Sequence, residues 1–315
     1  MIVTEDLSKH FEEFIAVDGV NLKVSAGEVL ALLGPNGSGK TTTVRMLTSI
    51  LRPSRGKAWV AGYDVVEQPD EVRASVGVLT EHHGLYGRMP ADEYLDFFGQ
   101  LYGMDLPTRR KRADHMLDEF GLEPYKRRRV GNFSKGMQQK LALARTLLHQ
   151  PPVLLLDEPT SAMDPESARL VRDAIQDLRS SDRAIILCTH NLPEAEKLAD
   201  KIAFIRYGTI IAQGTPDELR QRLLGAAVFE VRFGSDQNVD HISLPEGFQI
   251  AGRSENWLRY RSAQPEVDNP IILQHLLNKG LKVVGLEEVP RSLEQIYLQV
   301  MNDPKTMDSE AVYAG

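Results

Sequence analysis

One octapeptide constrains this chain more than any other: Gly34-Pro35-Asn36-Gly37-Ser38-Gly39-Lys40-Thr41. It follows the apolar run Val29-Leu30-Ala31-Leu32-Leu33 and precedes a helix-like stretch from Thr42 to Ile50. Strand, glycine-rich loop and helix form the setting of a phosphate-binding loop. Glycines allow positive φ, so backbone N–H groups can curl around an anion. The helix that follows points its positive end at the same place. In such a loop Lys40 reaches the β- and γ-phosphates and the Thr41 hydroxyl holds Mg²⁺. Taken alone, the octapeptide also fits a plain glycine turn.

The chain has 315 residues, room for one large domain or two. Its net charge of −7 argues against a general nucleic-acid binder, which is normally basic. The single cysteine, Cys188, lies in an apolar run and cannot form an internal disulfide. That suits a reducing compartment and a buried, inert thiol. No apolar run approaches the roughly 18 residues of a membrane span. The N-terminus carries Glu5 and Asp6 and lacks a basic-then-apolar signal pattern. The expectation is a cytosolic chain whose membrane role, if any, comes through a partner.

In chain order, Ile2 to Leu7 and Val20 to Val24 read as strands, with Asp18-Gly19 as a turn signal. Phe11 and Phe14 lie nearby, and either could offer a flat face to an adenine ring. Lys57 to Ala61 and Val76 to Leu79 read as further strands, the second ending at Thr80-Glu81. From Pro90 to Gln150 the helical period dominates, with Tyr94, Leu95, Phe97, Phe98, Leu101 and Tyr102 forming one broad apolar stripe. A second stripe comprises Ala113, Met116, Leu117 and Phe120. Two basic clusters, 109–112 and 126–129, suit either a solvated face or a surface near anionic headgroups or a partner loop.

Val153-Leu154-Leu155-Leu156 reads as a parallel strand covered on both faces, ending in Asp157-Glu158. Adjacent carboxylates at a buried strand end are costly unless they face a ligand or cation. Open α/β sheets bind ligands at that end. Asp164-Pro165 starts a helix to Leu178, and Ala184 to Thr189 is a strand ending at His190. Asn191 and Glu194 read as a cap pair for the next helix. Tyr207-Gly208 marks a hairpin, and Thr215 caps a helix with Glu218 at its third position. Beyond Gly225, strands at Val228 to Phe233, Trp257 to Arg261 and Leu281 to Leu286 alternate with helices at Pro270 to Leu277 and Ser292 to Met301. Asp303 to Gly315 reads as poorly ordered.

Phe133-Ser134-Lys135-Gly136-Met137-Gln138 precedes a helix, so Ser134 is either an anion contact or an ordinary N-cap. With this segment the motif order is complete, and residues 1–225 resemble the nucleotide-binding subunits of ATP-binding cassette (ABC) transporters. Gly34 to Thr41 resembles the Walker A loop and Val153 to Glu158 the Walker B strand with its glutamate. Phe133 to Gln138 resembles the signature, Ser161-Ala162-Met163-Asp164 the D-loop, His190 the switch histidine and Phe11 the adenine-stacking aromatic. There are departures: Lys135 and Met137 replace Gly and Gln, and Glu81 stands where glutamine is usual. Exporter-type cassettes share these features and the appendage.

The resemblance implies an α/β P-loop NTPase core with an antiparallel β subdomain, a helical insertion at about 83–150, and a C-terminal α+β domain at 226–303. It implies ATP and Mg²⁺. Phe11, Gly34, Pro35, Asn36, Gly37, Ser38, Gly39, Lys40, Thr41, Thr42, Ser134, Gly136 and Asp164 would contact nucleotide. Thr41, Asp157 and Glu81 would serve the metal, and Glu158, His190 and Lys40 the chemistry. Two cassettes, expected to be identical, would sandwich ATP and drive separate transmembrane permease subunits from the cytoplasmic face, with no nucleic acid involved. The alternatives are an importer cassette, a soluble ABC ATPase acting on ribosomes or DNA, or a P-loop binding module without ATPase activity. The last leaves Asp157-Glu158 and His190 unexplained.

Overall fold

The computed structural model describes residues 1–12, 14–80, 83–161, 163–179, 182–234 and 241–301. They form two compact units, Met1–Thr215 and Pro216–Val300. In the first, β1 (Ile2–Phe11), β2 (Phe14–Val20) and β3 (Lys23–Val24) begin an antiparallel sheet. The chain then leaves this layer through β4 (Val29–Leu33) and α1 (Lys40–Leu47), and returns as β5 (Arg55–Val60) and β6 (Tyr63–Asp64). The expected turn at Asp18-Gly19 is not one. The hairpin lies between Phe11 and Phe14, and β2 runs on through Gly19 by a register shift. The shift is held by side chains, since the Gly19 N–H donates to the Ser8 hydroxyl at 2.9 Å.

The second layer is a six-stranded sheet. After α2 (Pro69–Ser75) come β7 (Val76–Leu79), the helices α3 (Ala91–Leu101), α4 (Leu106–Glu119) and α5 (Lys135–Leu147), and then β8 (Val153–Asp157). The layer is completed by α6 (Pro165–Asp177), β9 (Ala184–Thr189), α7 (Leu192–Leu198), β10 (Lys201–Arg206) and β11 (Thr209–Gly214). The strand order is β11-β10-β4-β9-β8-β7, all parallel except β11. Every residue of β4, β8 and β9 is buried, as continuous apolar runs require when both faces are covered, here by helices on one side and by α1 with the antiparallel sheet on the other. Leu33 pairs with Thr189, and Asp157 with Cys188, so these three strands end level.

The helical insertion packs on one side of this sheet. Its first apolar stripe is narrower than expected: Tyr94 and Leu95 are fully buried, but Leu101 is 64% exposed. The cluster at 109–112 is partly structural. Arg109 pairs with Asp96 at 2.8 Å, and Arg112 donates to the Leu147 and Leu148 carbonyls that end α5. The last turn of α5 and the residues just after it also bond the edge of β7. The Thr146 hydroxyl bonds Val78 O at 3.0 Å and His149 Nε2 bonds Val76 O at 3.2 Å.

The second unit has a four-stranded antiparallel sheet. The strands are β12 (Ala227–Phe233), β13 (Ile250–Ser254), β14 (Trp257–Ser262) and β15 (Val283–Glu288), in the order β13-β14-β12-β15. α9 (Pro265–Asn278) covers it, after the short α8 (Pro216–Leu219) and before α10 (Leu293–Met301). The segment 216–224 was expected in the first domain but groups here. Arg220 bonds Arg291 O at 3.0 Å, and Gln299 bonds Leu223 O at 2.8 Å. The stretch from Asp303 onward lies outside the described residues.

His149 stacks on Tyr102 with ring centroids 3.7 Å apart, and burial lowers its pKa from 6.5 to about 4. The unfolded chain therefore takes up this proton first, so stability contributed by neutral His149 is complete above pH 6.5 and is lost as pH falls toward 4. His149→Phe keeps a ring against Tyr102 but removes the titration. Its melting temperature should fall less steeply than wild type between those pH values. Equal slopes would contradict the assignment.

Candidate functional site

The motif residues gather where β4, β8 and β9 end. A cavity of about 430 Å³ is lined by Phe14, Ala16, residues 36–42, Asp157 and Glu158. The loop's shape depends on its glycines. A Cβ on Gly34 would run into the Ile205 carbonyl and approach Ser38 Oγ at 2.6 Å. Gly37 and Gly39 have φ of +80° and +107°, which L side chains rarely adopt. The loop is anchored from outside by Gly208 N–H donating to Ser38 O at 3.0 Å.

Lys40 is 6% exposed, and its Nζ donates to Gly34 O at 2.7 Å and Pro35 O at 3.0 Å. The ammonium thus sits inside the loop it belongs to. The Thr41 hydroxyl donates to Asp157 Oδ2 at 2.8 Å, joining the start of α1 to the end of β8. Ser38 Oγ is buried with no hydrogen-bond partner among the described residues. An orphaned hydroxyl, a buried ammonium and the first N–H groups of α1 suit the phosphates of a nucleotide. Thr41 and Asp157 supply two hard oxygens, a set that fits Mg²⁺ sharing its remaining positions with phosphate and water.

Glu158 has φ +51°, a left-handed conformation costing about 1–2 kcal/mol for a residue with a Cβ. Its N–H donates to Cys188 O at 2.8 Å. Its side chain is 11% exposed, and Oε1 lies 2.7 Å from His190 Nδ1. Strain of this kind clusters at functional sites. Cys188 is fully buried, and burial together with Asp157 pushes its thiol well up, so it is not a nucleophile.

Other expected residues fall elsewhere. Phe11 is 44% exposed, carries Lys9 Nζ 5.0 Å from its ring centroid, and does not line the cavity. Its cross-strand neighbour Phe14 does. Ser134 is the N-cap of α5, accepting from Met137 N–H at 3.3 Å, and Asp164 is the N-cap of α6, accepting from Ser167 N–H at 2.9 Å. That bond holds the Asp164 carboxyl below its ordinary range. Gly136 packs near Ser167. None of these three lines the phosphate cavity. Glu81 and Ala162 lie outside the described residues. A second cavity of about 530 Å³, open to Glu158 and Lys135, lies between the loop after β7 and the start of α5.

The ABC transporter family profile matches residues 17–161, and the C-terminal domain profile of DrrA1-3-like ATP-binding proteins matches residues 214–301. The chain is 39% identical to the daunorubicin resistance ATP-binding protein DrrA3 of Streptomyces coeruleorubidus over 98% of both chains. The chain belongs to the ATP-binding subunits of ABC transporters. This ATPase subunit is also 42% identical to the ABC transporter ATP-binding protein NatA of Bacillus subtilis, over 70% of its own length and 91% of that relative. A solved ATP-binding subunit of an ABC transporter superposes with a TM-score of 0.67 at 29% identity, covering 71% of this chain and 94% of the other. Among the described residues of the subunit, no helix is long and apolar enough to cross a membrane.

Gly34→Ala should weaken nucleotide binding about five- to 150-fold, since relieving a backbone clash costs about 1–3 kcal/mol. Gly285→Ala, where a Cβ meets nothing within 4 Å, should leave it unchanged. Titration with a fluorescent ATP analogue checks both. Unchanged affinity in Gly34→Ala would show that the loop does not cradle phosphate.

Proposed function

We propose that two copies of this chain close on two ATP molecules and that the closure drives export through separate membrane-spanning subunits at the cytoplasmic face of the membrane. The observation that carries the two-copy reading is the separation of the motifs within one chain. Lys40 and Thr41 line the phosphate cavity, whereas Ser134 and Gly136 do not. A second copy can bring its own α5 N-terminus to the open side of the nucleotide, where helix N–H groups favour the γ-phosphate. Export is supported by the resistance relative, which matches the chain along nearly its whole length.

Lys40 would leave its loop carbonyls for the β- and γ-phosphates, and Phe14 or Phe11 would stack on the adenine. Mg²⁺, held by Thr41 and Asp157, would offset phosphate charge when bound. Glu158 would orient the attacking water and accept its proton. His190 Nδ1 faces Glu158, which leaves Nε2 to meet the γ-phosphate. Ser134 and Gly136 of one copy, with Asp164 near the junction, would complete the other copy's site. Most of the rate would come from positioning and charge neutralisation.

Glu158→Gln should keep ATP affinity, lose about 10²–10⁴-fold in kcat, and accumulate an ATP-dependent dimer. Light scattering with and without ATP, beside a phosphate-release assay, reads both. Wild-type turnover in this variant would remove Glu158 from the chemistry. Absence of any ATP-dependent dimer would remove the two-copy site.

A further inference from the structure

The expected cap pair at the start of α7 is one-sided. Asn191 Oδ1 accepts from Glu194 N–H at 3.1 Å, but the Glu194 carboxylate does not return the bond. It turns inward, where the residue is 2% exposed. Oε1 accepts from the Thr160 hydroxyl at 2.7 Å and Oε2 from the Thr189 hydroxyl at 2.9 Å. Burial raises this carboxyl's pKa, and such a group is retained at a cost. Its two donors are placed tellingly. Thr160 follows Glu158-Pro159, and Thr189 immediately precedes His190. The same turn is also held from α5, because buried Gln139 donates Nε2–H to Pro159 O at 2.5 Å.

We propose that Glu194 is a positioning residue whose carboxylate ties the Glu158–Thr160 turn to the Thr189–His190 segment, holding Glu158 against His190, with Gln139 bracing the turn from α5. The proposal rests on the reading of Glu158 and His190 given above. One acidic side chain thereby joins the turn after β8 to the end of β9. The left-handed Glu158 conformation is held partly from outside its turn, since its N–H bonds Cys188 O at 2.8 Å. Gln139 adds a path from the helix that Ser134 caps to the turn that carries Glu158.

The test uses the full chain. Glu194→Gln should lower kcat by about ten-fold or more, with KM for ATP within about two-fold, because the pair is misplaced while the phosphate loop is untouched. Thr160→Val with Thr189→Val should reproduce that loss, and adding Glu194→Gln to this double variant should cost nothing further. Leu198→Ala, a buried change on the same helix, serves as the structural control. It should lower the melting temperature and leave kcat per folded molecule unchanged. Turnover of Glu194→Gln within about two-fold of wild type, additive losses in the triple variant, or kcat loss matched by Leu198→Ala would each overturn the proposal. If Glu194→Gln does not fold, the threonine double variant decides by the same kcat and KM criteria. Glu158→Gln run in parallel separates the two questions, since full activity there removes the underlying reading whatever Glu194→Gln does.

Discussion

Three buried strands that finish level are what the rest of the first unit depends on. β4, β8 and β9 pair so that Leu33 meets Thr189 and Cys188 meets Asp157. The phosphate loop, the two carboxylates and His190 follow those ends directly. A register slip of one residue would turn β8 over and remove Asp157 from Thr41. Such a slip is resisted because every side chain of the three strands is buried, on one face against helices and on the other against α1 and the antiparallel sheet. The core is therefore also the ruler that sets distances at the site.

Above this apolar base the buried residues become polar. Ser38, Lys40, Asp157, Thr189, Glu194 and Gln139 are all buried and lie in or beside the site. Each is costly to bury without a partner, and most find one in a neighbouring segment. Thr41 links α1 to β8, Gln139 links α5 to the turn after β8, and Glu194 links that turn to β9. In low-dielectric surroundings these bonds position groups firmly. They also give α5, whose far end bonds the edge of β7, a mechanical connection to the turn that carries Glu158.

Much of this was legible in the sequence. Runs of four to six largely apolar residues leading into Gly34, Asp157 or His190 announce parallel strands with polar groups at their tips. The glycine spacing announces the loop. What stayed hidden is tertiary in origin. Nothing local says that Gly19 sits inside a strand rather than a turn, because the bond that keeps it there comes from Ser8. Glu194 reads as a capping residue by its spacing from Asn191, and only the neighbouring Thr160 shows its other use. The hairpin geometry that puts Phe14 on the cavity and leaves Phe11 off it is likewise set by strand pairing. Leu101 matches the helical stripe in period but lies at its margin, where no neighbour covers it.

The central claim is that nucleotide phosphate takes over the bonds that Lys40 and Thr41 make within the chain. The most direct measurement is a structure of the full chain with Mg²⁺ and a non-hydrolysable ATP analogue. The account predicts the phosphates on residues 36–42, Lys40 Nζ withdrawn from Gly34 O and Pro35 O, and the cation between Thr41 and Asp157. Nucleotide bound with Lys40 still on its loop carbonyls, or bound away from the ends of β4 and β8, would contradict it.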